Sequence, residues 1–182
     1  MRLFTAIDIS DDSRASLAEL LRQLAAVAPF QWSQPDNLHI TTKFIGRWPD
    51  ENYEALRTAL AEMAKPGAVE IAVGGLGWYP NPHSPRILFA GVEAGAELAA
   101  LHRQTDAACA SIGIPAEAKP FHPHLTLARI KTPDGLQAVR KHIAQLPSRE
   151  FGRFTASSFY LYESVTHPGG SEYHKLEEFP LL

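Results

Sequence analysis

Two stretches of this chain run through the same order of signals. HITTKFIG leads into RWPDENYEALRTAL, and HLTLARIK leads into TPDGLQAVRKHI. Each begins with a β-rich segment opened by His-x-Thr, breaks, passes Pro-Asp and continues as a helix-forming stretch. The histidine-to-proline offset is ten in the first copy, His39 to Pro49, and nine in the second, His124 to Pro133. This echo points to an ancient duplication. Two such units related by a pseudo-two-fold would bring His39 and His124 face to face.

The rest of the chain fits around that pair. Arg2–Ile9 alternates like a strand. Ser10 or Asp11 can cap a helix whose apolar stripe is Leu17, Leu20, Leu21, Leu24 and Val27, stopped by Pro29. Leu38–Ile45 reads as a strand, broken by Gly46 and Pro49, and Asp50–Met63 as a helix with Tyr53, Leu56, Leu60 and Met63 on one face. Glu70–Val73 and Ile87–Val92 read as strands separated by the Gly/Pro-rich loop GGLGWYPNPHSP. Ala94–Ile112 is a third helix and His124–Ile130 a strand. A fourth helix runs from Pro133 to about Leu146, and Thr155–Glu163 and Tyr173–Phe179 supply the last strands. The order lacks the steady βαβ alternation of a doubly wound sheet, and no GxGxxG or GxxxxGK[ST] loop occurs. The pattern predicts an α+β fold with largely antiparallel sheets.

Composition narrows the function classes. At 182 residues, 45% hydrophobic and 20% charged, the chain is ordinary for a globular protein with a real core. The start, MRLFTAIDIS, reads as a first strand and not a signal peptide, and no apolar run approaches a membrane span. The single cysteine, Cys109, forms no internal disulfide and lies at helical spacing with Leu98, Leu101 and Ile112, which suits buried packing in a reducing compartment. The cytoplasm is the expected location. A net charge of −3 argues against broad, charge-driven binding of long nucleic acid, while leaving room for a small pocket that takes one RNA end.

Strand parity then places the chemistry. Residues i and i+2 project from one face, so His39 shares a face with Thr41, and His124 with Thr126. Each copy presents an imidazole, able to exchange a proton near neutral pH, beside a hydroxyl that can donate to a phosphate oxygen. Phosphodiester cleavage needs one group to activate the nucleophile and another to protonate the leaving oxygen. The two pairs supply such a set. A single His-x-Thr means little; its repetition in matching contexts gives it weight.

Through these motifs the chain resembles the two-histidine phosphoesterase superfamily, and within it the bacterial and archaeal RNA 2′,3′-cyclic phosphodiesterases, also called 2′-5′ RNA ligases. The resemblance runs from Arg2 to about Tyr162. Its carriers are LFTAIDI, Trp32 followed by NLHITTKFIG, and FHPHLTLARI. It implies one two-lobed domain over 1–182, with motifs at 39–42 and 124–127. Two antiparallel-sheet lobes would flank a cleft, with helices outside. It implies that His39 donates a proton to the leaving 3′ oxygen and that His124 accepts one from water. Thr41 and Thr126 would hold phosphate oxygens, Arg129 would contact the phosphate and Phe44 would stack on a base. It implies no metal or other cofactor, RNA ends or short oligonucleotides as partners, and a monomer. The same site could also run ATP-independent 2′-5′ joining, or bind RNA ends without turnover.

Several positions depart from this picture or carry a second reading. His122 shares parity with His124 across Pro123, so a His-x-His metal pair is a rival arrangement. Arg129 and Phe44, each five residues after a motif histidine, have the wrong parity in an ideal strand; without a bulge or twist Arg129 is a surface residue and Phe44 a core residue. Lys43 shares ideal parity with His39 and would add positive potential to the cleft. Trp78 and Tyr79 could stack on a base or fold against the sheet. His83, His102, His142, His167 and His174 read as surface or structural.

Overall fold

The structure, a computed structural model, describes residues 1–182. Its strands are β1 (Arg2–Asp8), β2 (Gln31–Trp32), β3 (His39–Arg47), β4 (Val69–Tyr79), β5 (Ile87–Ala94), β6 (His124–Arg129), β7 (Glu150–Ala156), β8 (Ser158–His167) and β9 (Gly170–Pro180). Its helices are α1 (Asp11–Ala25), α2 (Tyr53–Glu62), α3 (Ala96–Ala110) and α4 (Leu136–Ala144). Ser10 caps α1 by accepting from the Ser13 amide at 3.2 Å, and Asp11 and Asp12 complement the positive end of its dipole.

The strands form two antiparallel sheets, ordered β3-β1-β8-β9 and β2-β6-β5-β4-β7. The order explains the echo. In each sheet the histidine strand, β3 or β6, lies beside the strand that precedes it by one helix, β1 or β5. Beyond that lies a strand contributed by the other half of the chain, β8 or β4. A continuous core of 35 buried residues joins the sheets to the helices. The fold is α+β, as the element order predicts.

Some elements differ from the sequence reading. β4 runs on to Tyr79, so most of the expected loop is strand. Pairing with β5 overrides its glycines, with a register shift between Val73 and Leu76 absorbing the irregularity. Trp78 is half-buried in β4 with the Arg140 guanidinium 5.7 Å from its ring centre. Thr155–Glu163 resolves into two strands of different sheets, β7 and β8. The two-residue β2 is too short to show a period. Val27 lies past the end of α1 and is exposed. Cys109 is fully buried in the core cluster, and burial pushes its thiol up to about 11, the opposite of an activated nucleophile. No helix is long and apolar enough to cross a membrane.

Candidate active site

The two histidine strands match residue for residue. On β3, His39, Ile40 and Thr41 pair with Asp8, Ile7 and Ala6 of β1; Thr42 is then skipped, and Lys43 and Phe44 pair with Thr5 and Phe4. On β6, His124, Leu125 and Thr126 pair with Gly91, Ala90 and Phe89 of β5; Leu127 is skipped, and Ala128 and Arg129 pair with Leu88 and Ile87. Each strand thus carries a β-bulge three residues after its histidine. A bulge adds one residue and reverses the parity of every position beyond it. Two consecutive buried residues mark the reversal in each copy, Thr42-Lys43 and Leu127-Ala128.

The bulges decide the doubtful positions. Phe44 emerges on the face of His39 and Thr41 and is 68% exposed, so it is not a core residue. Arg129 emerges on the face of His124 and Thr126, exposed, with no carboxylate or carbonyl partner from the protein. Lys43 goes the other way, which corrects its expected place in the cleft. It is 3% exposed on the opposite face, with its ammonium 2.7 Å from Asp106 of α3 and 2.9 Å from the Pro115 carbonyl. Replacing Lys43 leaves the partly exposed Asp106 carboxylate and the Pro115 carbonyl without their donor. Lys43→Met should therefore cost about 1–3 kcal/mol, read as a lower denaturant midpoint at unchanged slope.

Both bulges are braced from outside the strand. The Thr42 carbonyl accepts from His102 Nδ1–H at 2.6 Å, and its hydroxyl meets Thr5 at 2.7 Å in the interior. His102 stacks flat on Phe121, with ring centres 4.3 Å apart, so its role is structural. In the second copy Ser33, just past β2, does this work: its amide donates to the Leu127 carbonyl at 2.9 Å and its hydroxyl to the Thr126 carbonyl at 2.8 Å. Sequence reasoning had no signal for Ser33, because its partners lie 93 or more residues away.

The imidazoles are set by the same local device. His39 Nδ1 lies 2.7 Å from the Asn37 carbonyl, and His124 Nδ1 lies 2.7 Å from the His122 carbonyl. A carbonyl only accepts, so Nδ1 carries the hydrogen in both rings and Nε2 is the reactive nitrogen. In neutral His39, Thr41 donates its hydroxyl to Nε2 at 3.0 Å. The Thr126 hydroxyl has no protein partner. The turn before His39 is tied down by Asn37 Nδ2, which donates to the Ser171 carbonyl at 2.9 Å, and by Arg14, which donates to the Pro35 carbonyl at 2.6 Å. His122 is exposed and takes part through its backbone.

The surroundings of the two rings differ. His39 sits among aromatics: ring centres lie 4.8 Å from Phe4, 5.1 Å from Tyr173 and 6.3 Å from Tyr162. His124 is exposed, with Phe89 5.5 Å away. β3 and β6 pack against each other across the sheets. Burial pushes the proton affinity of His39 below the usual histidine range. The Asn37 carbonyl and the Asp8 carboxylate oppose that shift, and the charge of His124 adds to it.

A family model described as the 2′-5′ RNA ligase superfamily matches residues 11–168. The chain belongs to this superfamily. It is 33% identical to a protein of Archaeoglobus fulgidus named RNA 2′,3′-cyclic phosphodiesterase, over 98% of this chain and 99% of that one. A Thermus thermophilus protein of the same name is 32% identical, over 100% of this chain and 90% of its own length. Among solved structures, one from Thermus thermophilus superposes with a TM-score of 0.84 at 29% identity, covering 100% of this chain and 98% of that one. E. coli LigT complexed with 3′-AMP superposes with a TM-score of 0.77 over 99% of this chain and 97% of that one; at 22% identity it speaks for the fold alone. The two His-x-Thr motifs of this chain lie on the matched pair of strands described above.

Proposed function

We propose that this protein hydrolyses the 2′,3′-cyclic phosphate at an RNA end to a 2′-phosphomonoester, using His39 and His124 as acid and base. The supporting observation is the matched placement of the two imidazoles. Each offers Nε2 beside a threonine on the same strand face, on facing strands of two sheets. His124 Nε2 takes a proton from water as its oxygen attacks phosphorus. The bond from phosphorus to the 3′ oxygen breaks, and His39 gives that oxygen its Nε2 proton, leaving a free 3′-hydroxyl. His39 ends neutral and His124 protonated, and exchange with solvent resets the pair. Thr41 and Thr126 donate to the non-bridging oxygens, and Arg129 neutralises their charge from the second strand. Phe44, exposed at the edge of the aromatic cluster, stacks on a base.

On this reading residues 1–182 form one catalytic domain whose two lobes each supply half of the machinery, acting as a monomer on cytoplasmic RNA ends. The chemistry is carried by imidazoles, hydroxyls and a guanidinium and calls on no metal. The test is product analysis. Incubation of the protein with a 2′,3′-cyclic-phosphate oligonucleotide and a chelator should give a terminal 2′-phosphate at undiminished rate. A 3′-phosphate product would overturn the assigned leaving group, and loss of activity in chelator would revive a His122–His124 metal site.

A second reading, ATP-independent 2′-5′ joining, uses the same groups in the same roles: an incoming 5′-hydroxyl replaces water, giving its proton to His124 as its oxygen attacks phosphorus, and the 3′ oxygen leaves with the proton of His39. The family's description favours keeping it beside hydrolysis. Ligated product appearing at high oligonucleotide concentration would support it. Binding without turnover is the third reading, and the intact motif residues disfavour it.

A further inference from the structure

The pseudo-symmetry of the two histidine strands fails at one telling place. Opposite His39 across the β1–β3 pair stands Asp8; opposite His124 across the β5–β6 pair stands Gly91. The second position has no room for a carboxylate. A Cβ on Gly91 would lie 2.5 Å from the backbone carbonyl oxygen of Gly74, where the irregular stretch of β4 crosses close above. A side chain opposite the histidine is therefore possible in only one of the two sheets.

We propose that Asp8 is a positioning residue for one histidine of the pair alone, holding a carboxylate on the strand face of His39 so that this enclosed ring can still carry a proton into the reaction. The inference rests on the acid-base reading of the site. Asp8 is firmly held: the Tyr162 hydroxyl donates to Oδ1, and Lys175 of β9 pairs with Oδ2 at 2.6 Å. Burial first, and Asp8 second, push the Tyr162 phenol upward, so it remains a donor to the carboxylate. Lys175 in turn lies 3.8 Å from the centre of the Tyr160 ring.

The charges around His39 explain why such a device is required. Its ring is packed among Phe4, Tyr162 and Tyr173, which disfavours the cation. Across the sheets His124 disfavours it further. Asp8 is the one carboxylate that acts on it, and Lys175 tempers that carboxylate. Tyr160 and Tyr173 also face the cluster, and the positive charge of Arg14 of α1 acts on Tyr162. An arriving phosphate anion completes the balance by favouring the imidazolium at the moment of reaction.

The experiment is an NMR titration of the His39 ring in the whole, substrate-free protein, compared with Asp8→Asn and Lys175→Met. Asp8→Asn removes the carboxylate and leaves an uncompensated ammonium, so His39 should titrate at lower pH than in the wild type. Lys175→Met leaves the carboxylate uncompensated, so His39 should titrate at higher pH. A structural perturbation has no reason to move one ring in opposite directions in two variants of one ion pair. The pH profile of kcat for cyclic-phosphate opening should follow, its alkaline limb moving down in Asp8→Asn and up in Lys175→Met. An unmoved His39 titration in Asp8→Asn, or a downward one in Lys175→Met, overturns the proposal. Opposite shifts in the two variants, together with a wild-type protein that opens no cyclic phosphate, would uphold the effect of Asp8 on His39 and overturn the reaction assigned to the site, so the two failures are distinguishable.

Discussion

His39→Ala and His124→Ala should each lower kcat/KM for a 2′,3′-cyclic-phosphate oligonucleotide by on the order of 10²–10⁴-fold. Both proteins should stay folded. His124 is exposed, and its ring makes one bond to the backbone two residues earlier. His39 is more enclosed, but its ring bonds are also short-range, to Asn37 and Thr41. The loss is therefore chemical: one variant lacks the group that takes the proton from water, the other the group that gives one to the leaving oxygen. Because the two act in one displacement, their effects should not add. The double variant should be close to the slower single variant, as for other residues that work as a unit. Steady-state kinetics with circular dichroism on the same samples checks this. Near-normal rates in either single variant would remove the acid-base account.

The sequence carried the central pair because the signal there is local. His-x-Thr on a strand places an imidazole and a hydroxyl on one face at once, and the repeat of strand, break and helix is visible in a single chain. The α+β class followed from element order for the same reason. What ideal strand parity misplaced lies beyond a bulge. Lys43 is assigned to the cleft by simple alternation, and Phe44 and Arg129 are assigned away from it; one skipped residue in each strand, Thr42 and Leu127, reverses all three. A clue was present in the side chains. Thr42-Lys43 and Leu127-Ala128 sit at the same offset in both copies, and Leu127-Ala128 is an apolar pair that alternation does not allow. The groups that brace the bulges, His102 and Ser33, and the Asp8–Tyr162–Lys175 cluster are joined by contacts 60 to 167 residues apart. No spacing rule reaches that far. Gly91 shows the limit most clearly: its meaning depends on the path of β4 above it.

The decisive measurement separates the two histidines by the atom that each one serves. In the oxygen substrate the departing 3′ oxygen needs a proton, since an alkoxide is far too basic to leave unaided near neutral pH. A thiol ionises near about 8.5 and departs without help. Replacing the bridging 3′ oxygen of the cyclic phosphate by sulfur therefore makes the proton donor dispensable and leaves the base as necessary as before. The rates of wild type, His39→Ala and His124→Ala should be compared on the oxygen and sulfur substrates under the same conditions, in chelator. The account expects His39→Ala to recover most of its deficit of about 10²–10⁴-fold on the sulfur substrate, while His124→Ala stays as impaired as on oxygen. Recovery of His124→Ala in place of His39→Ala would reverse the assignment. Equal deficits for both variants on both substrates would contradict paired acid-base catalysis altogether.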